Sequence, residues 1–328
     1  MNLTDYVTEV AEAYRRLGCV RTAETYLSTL RSMLYYHNDD GPVESFFNCE
    51  WLSGYQNYLA SSGLSKNSIV FYLARVRSLY NKAVQKGMVP FIPKLFSGIQ
   101  TKSEPTYKRA IRTKTLKIIS QTDFSKFPYL DFARDMFMLS LYLQGISFID
   151  LAYLRKNDVR SDGSIIYLRH KTRSMVTIAV DAIAWKIIDK YKDQTAHSPY
   201  LLPIIKNPGK DERKQYETAL RAQNRRLKKI AERLCLNDNL TSYVSRHSWA
   251  AVAYHQGVAT SVISQAMGHQ SEKVTHVYLK SFDNSTLLKA NDAVIRAIMG
   301  RSPYSKIKQN NNSSVEYNTI YETTIRNV

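Results

Sequence analysis

The sequence predicts a mainly α protein with one small antiparallel β-hairpin, arranged as a helical bundle followed by a larger helical unit. Three observations lead there. Most apolar segments recur at helical spacing. Two adjacent runs, 164–168 and 175–180, are rich in β-branched residues and flank a polar tip. A proline- and glycine-bearing polar stretch, 88–107, divides the chain.

Leu3, Val7, Val10, Ala11, Tyr14 and Leu17 predict a first helix from Leu3 to about Leu17. Tyr26, Leu27, Leu30 and Leu34 carry a second from Thr22 to about Tyr36, stopped by Asn38-Asp39-Asp40-Gly41-Pro42. Pro42 opens a third through Phe46, Leu52, Tyr55 and Leu59, and Ser61-Ser62-Gly63 ends it. Ser65 caps a fourth, with Ile69, Tyr72, Leu73, Val76, Leu79, Tyr80 and Ala83 on one face, ended by Lys86-Gly87. Residues 1–87 thus read as a bundle and 88–107, with Pro90, Pro93, Gly98 and Pro105, as a linker.

The second unit spans 108–299. An apolar helix covers about Asp131–Leu143, and Ser147 with Asp150 has capping-box spacing for a helix to about Lys156. The hairpin follows, with Arg169-His170-Lys171-Thr172-Arg173-Ser174 as its basic tip. Further helices are expected at 181–194, 211–234, 242–256, 259–267 and about 284–299. Residues 300–328, with Asn310-Asn311-Asn312, lack apolar periodicity and predict a disordered tail.

The chain has 328 residues and a formal net charge of +18. Residues 1–100 carry 10 basic and 8 acidic side chains; the rest carry 36 and 20, so the charge sits in the second unit. A field of that sign concentrates polyanions, and nucleic acid is the expected partner. No apolar run reaches 18 residues and no secretory leader opens the chain, so no membrane partner is expected. Cys19, Cys49 and Cys235 have no metal spacing and read as reduced thiols of a cytoplasmic protein, in a bacterium associated with the nucleoid. No phosphate-binding Gly-rich loop and no metal motif occurs, so neither cofactor nor metal is expected.

The chemistry-bearing residues cluster late. Ser245-Arg246-His247-Ser248-Trp249 precedes Met267-Gly268-His269 by about twenty residues, and Tyr278 follows. A guanidinium matches two phosphate oxygens, an imidazole after a helix-ending glycine reaches the same oxygens, and a phenol is a nucleophile once its proton is accepted. His247, next to Arg246 on a helix, points about 100° away and reads as support or core.

These residues resemble the tyrosine recombinases, the phage integrase family, and most of all the Bacteroidetes integrases and DNA invertases with an Arg-His-Ser-Trp-Ala segment. Leu240–Ala250 resembles the box of the second catalytic arginine, Val262–His269 the Leu-Gly-His box, and Thr275-His276-Val277-Tyr278 the nucleophile box. Lys171 matches the lysine of the β-turn. The resemblance implies a SAM-like core-binding bundle, then a catalytic domain with a C-terminal exchange helix. Tyr278 would form a 3′-phosphotyrosyl bond, Lys171 would protonate the leaving 5′-oxygen, and Arg246 with His269 would stabilise the phosphorane. The covalent link conserves bond energy, so the chemistry runs without ATP or metal.

Two positions depart from the family. Ser147 stands where an arginine usually opens a helix, and Arg155 or Arg134 is expected to supply the missing charge. Tyr243 replaces the first histidine and cannot carry its charge. Asp150 is expected either to cap its helix or to orient Arg246. DNA contacts are expected from Arg21, Lys66, Arg75, Arg77, Arg173, Lys214, Arg221, Arg225 and Arg226.

The function expected is a site-specific DNA recombinase, either a DNA invertase acting on inverted-repeat core sites or the integrase of a mobile element. Double-stranded DNA, a homotetramer on it and an accessory DNA-bending protein are the expected partners. A reading of another class is a non-catalytic DNA-binding regulator derived from a recombinase.

Overall fold

The structure, a computed structural model, describes residues 1–100, 103–104, 110–269, 271, 275 and 294. The chain divides into two compact units, Met1–Tyr107 and Lys108–Val328.

The first unit holds α1 (Leu3–Arg16), α2 (Val20–His37), α3 (Cys49–Ser61) and α4 (Lys66–Gln85). Their apolar stripes meet in one core with Tyr6, Tyr26, Tyr55 and Leu73 buried in it. Buried phenols need partners, and each has one. Tyr6 Oη donates to Leu79 O at 2.7 Å, Tyr55 Oη donates to Ser32 Oγ at 2.8 Å, and Tyr26 meets Ser78 Oγ at 2.8 Å. Ser65 caps α4.

Two expectations change here. The helix expected from Pro42 is a short 3-10 turn, Val43–Phe46, and then α3, because Asn48 Oδ1 accepts the Trp51 N–H at 2.8 Å and restarts the helix. The stretch expected as a linker packs onto the bundle over much of its length. Val89 and Leu95 are buried in the bundle core, with Ile92, Phe96 and Ile99 against it. The prolines there set bends between apolar residues that the bundle covers.

The second unit comprises α5 (Thr113–Gln121), α6 (Pro128–Tyr142), α7 (Phe148–Tyr153), β1 (Ile165–Leu168), β2 (Met175–Ile178), α8 (Ala182–Lys190), α9 (Glu212–Arg233), α10 (Val244–His255) and α11 (Thr260–Ala266). Helix α6 is central and packs against α8, α9 and α10, which explains a nearly all-round apolar sequence. Sequence periodicity missed the short α5, whose Leu116 and Ile119 bury against Phe137 and Leu227 in the same core.

Strands β1 and β2 pair antiparallel, Ile165 opposite Ile178 and Leu168 opposite Met175. Pairing continues one step further, the Arg169 N–H donating to Ser174 O at 2.9 Å. The Arg173 N–H then donates to Arg169 O across the tip, with Arg173 at φ 57°. Alternation along β1 turns Ile165 and Tyr167 to the core and leaves Leu168 out. Of the helix expected over 284–299 only Val294 is described, helical and exposed; the rest of it, Tyr278 and the tail lie outside the described residues.

Candidate active site

The site forms where α10, the turn after α6, the hairpin and the end of α11 converge. Arg246 lies in the first turn of α10 and is the largest of the fully buried side chains, 1% exposed. Small residues let α10 come this close. Ser140 and Ser245 hydroxyls meet at 2.7 Å, and a Cβ on Gly145 (φ +71°) would sit 3.1 Å from Arg246 Cα. The guanidinium donates from Nη1 to Gly145 O at 2.7 Å and from Nη2 to Met267 O at 2.5 Å, and its Nη2 lies 3.2 Å from His269 Nε2.

Helix α11 ends in a Schellman turn. The His269 N–H donates to Ser264 O and the Gly268 N–H to Gln265 O, with Gly268 at φ +60°. That turn exposes two carbonyls to cations. Met267 O takes Arg246, and Gly268 O takes Arg169 Nη1 at 2.8 Å together with Ser174 Oγ at 2.9 Å. His269 Nε2 faces Arg246, while its Nδ1 lies 2.7 Å from Thr275 Oγ1, a fully buried residue.

Burial pushes the His269 imidazole down to about 4, helped by the positive charges of Arg246, Arg169 and Lys171. At neutral pH the ring is therefore uncharged. Lys171 itself is exposed at the hairpin tip.

Arg169 is the residue that sequence reasoning missed. In the sequence it belongs to the basic tip, yet period 2 puts it in line with Ile165 and Tyr167, facing inward. It is 6% exposed, its Nε 3.7 Å from Asp150 Oδ2, too far for a hydrogen bond. Asp150 faces Arg169. Its Oδ2 accepts Ser147 Oγ at 2.6 Å and its Oδ1 accepts the His170 N–H at 2.8 Å, so it ties α7 to the hairpin. Ser147 is the N-cap of α7, accepting the Asp150 N–H.

The two arginines expected to replace the missing charge have other partners. Arg134 joins Asp131, Asp135 and Lys190 in an ion cluster, with Nη1 also donating to Thr122 O at 2.9 Å. Arg155 covers the Tyr200 ring at 5.6 Å.

Tyr243 sits at the N-cap of α10, 45% exposed, its ring edge-on to buried His247 at 4.7 Å. Of the residues expected on DNA, Lys214, Arg221 and Arg225 are exposed along α9, Arg226 is half-buried there, and Arg173 is exposed on the hairpin tip. In the first unit Arg21 pairs with Glu24 and Lys66 with Glu104, while Arg75 and Arg77 lie over the Phe71 and Phe96 rings.

Residues 117–285 match the phage integrase family, and residues 2–96 match the phage integrase SAM-like domain. The chain belongs to the phage integrase family. This tyrosine recombinase is thereby a site-specific recombinase enzyme, and its fold agrees with solved members. A λ integrase dimer bound to a COC′ core site is 16% identical, TM-score 0.64, over 85% of this chain and 77% of that one. The Tn1549 transposon integrase, residues 82–397 with a circular intermediate DNA, is 16% identical, TM-score 0.63, over 88% and 99%. A λ integrase tetramer bound to a Holliday junction is 14% identical, TM-score 0.63, over 85% and 78%. No curated protein matches the sequence of this recombinase.

Proposed function

We propose that this recombinase exchanges DNA strands through a 3′-phosphotyrosyl intermediate on Tyr278, with Arg246, His269, Lys171 and Arg169 as its phosphate-handling residues. One observation carries the reading: a fully buried guanidinium, a neutral imidazole and the basic hairpin converge on the Met267–His269 turn. Burying an arginine costs several kcal/mol, and a phosphate offers the anionic partner such a group is built for.

The Tyr278 oxygen attacks phosphorus, Lys171 protonates the departing 5′-oxygen, and Arg246 with Arg169 neutralises the equatorial oxygens. Arg169 takes the part of the arginine absent at Ser147. Its support is its burial beside His269 and its grip on the carbonyl next to the one Arg246 holds. The λ and Tn1549 integrases bound to DNA support double-stranded DNA as the substrate, and the λ tetramer supports a homotetrameric synapse. We assign inversion between short inverted repeats as the role within the class.

A nicked suicide substrate tests the chemistry: a covalent adduct on denaturing gels, lost in Tyr278→Phe with DNA binding retained. Arg169→Ala should lower adduct formation by ~10²–10³-fold, whereas Arg155→Ala should not. Binding without any adduct would identify a regulator instead. A plasmid with inverted sites, against one paired with a mobile-element end, separates inversion from integration.

A further inference from the structure

We propose that Thr275 is a positioning residue that fixes the tautomer of His269, taking the Nδ1 proton on its hydroxyl oxygen and keeping the Nε2 lone pair toward Arg246. The assignment follows from what each neighbour is able to offer. A guanidinium has five N–H donors and no acceptor. Arg246 Nη2 lies 3.2 Å from His269 Nε2, so that nitrogen accepts and carries no hydrogen. A neutral ring has one N–H, which must then be on Nδ1, where Thr275 Oγ1 stands 2.7 Å away. Of the pair, only the hydroxyl is able to act in either sense, so Thr275 is the acceptor.

The cations that face the ring are Arg246 from α10 and Arg169 and Lys171 from the hairpin, and they agree with a neutral ring at rest. Thr275 is fully buried and three residues before the proposed nucleophile, within the same short segment. One hydroxyl therefore joins the imidazole to a residue three positions before Tyr278.

The tautomer decides what the ring does for a phosphate. With Nε2 unprotonated it begins as a proton acceptor. On the recombinase reading, on which this consequence rests, the Tyr278 O–H bond breaks and its proton goes to Nε2. The Oη–P bond forms, the bond from phosphorus to the 5′-oxygen breaks, and Lys171 gives that oxygen its proton. His269 leaves the step as an imidazolium donor to the phosphorane, and rejoining returns both protons. An anionic phosphate among three cations raises the ring's affinity for the proton at that moment. With the other tautomer, Nε2–H would meet the Arg246 N–H, donor against donor.

The test reads the ring directly. Nitrogen-15 NMR of the full-length protein, with His269 assigned by His269→Gln, should show the Nδ1–H tautomer at pH 7. Thr275→Val should shift it toward Nε2–H, and Thr275→Ser should restore it. Thr275→Val should also lower adduct formation by ~10–10²-fold, within the ~10⁴-fold loss seen when a catalytic histidine is held in the wrong tautomer, and change its pH profile. Should valine prevent folding, Thr275→Cys, a weak acceptor, carries the same comparison. An Nε2–H ring in the wild type overturns the proposal, and so does an Nδ1–H ring with wild-type cleavage in both Thr275→Val and Thr275→Cys. Absence of an adduct in the wild type sinks the recombination chemistry but leaves the tautomer measurement to decide Thr275.

Discussion

Gly268→Ala separates the two demands made on the turn that closes α11. The first is conformational: at φ +60° an alanine costs about 1–2 kcal/mol. The second is contact. A Cβ there would lie 2.5 Å from Arg169 Cδ, 2.7 Å from Val176 Cγ2 and 3.0 Å from Ser174 Oγ. Arg169 is held by Gly268 O and Val176 is buried in the hairpin, so neither yields freely. Overpacking of that kind adds about 1–3 kcal/mol, for a total of about 2–5 kcal/mol.

Gly257 supplies the control. It closes α10 in the same Schellman geometry, with the Gly257 N–H donating to Tyr254 O and the Val258 N–H to Ala253 O. Its φ is +82°, and a Cβ there meets nothing within 4 Å. Gly257→Ala should therefore cost only the conformational part, about 1–2 kcal/mol. Thermal unfolding followed by circular dichroism should separate the variants, at about 2–4 °C per kcal/mol. Gly268→Ala should also lower adduct formation, because it pushes Arg169 off its carbonyl. Equal melting temperatures, with cleavage unchanged, would refute the claim that the hairpin and Arg169 are packed against this turn.

Two further outcomes follow from charges. Asp135→Ala should destabilise the second unit by about 3–5 kcal/mol in urea unfolding, because buried Asp135 accepts Arg134 Nε at 2.6 Å, Lys190 Nζ at 2.6 Å and Tyr191 Oη at 2.7 Å; a loss below 1 kcal/mol would mean the cluster is solvated. His269, pushed down to about 4, favours the folded state fully above its unfolded value of about 6.5. That contribution is lost as pH falls from about 6.5 through about 4, so His269→Gln should flatten the urea midpoints across that window.

Much of the fold is legible in local chemistry. Helical spacing marks α1, α2 and α4, and the serines at 65 and 147 announce their caps through a hydroxyl that satisfies an early N–H. Two β-branched runs about six residues apart leave little but a hairpin. The Gly268-His269 pair also declares itself, since a glycine at positive φ ends a helix and aims the next residue outward from it. The split of the third helix was harder, because Asn48 is a cap only once Phe46 and Phe47 are both turned into the core.

The sequence by itself determined the order of most elements, the caps at Ser65 and Ser147 and the chemical types gathered late in the chain, since these depend on near neighbours. Tertiary structure decided which cation joins Arg246 at the Met267–His269 turn. Arg134 and Arg155 are nearer to Ser147 along the chain, but Asp131 and Asp135 hold the first, and the ring of Tyr200 underlies the second. Arg169 arrives instead because strand alternation turns it inward and the end of α11 offers it a carbonyl. A charge settles where distant acceptors converge, and that convergence exists only after the helices have packed.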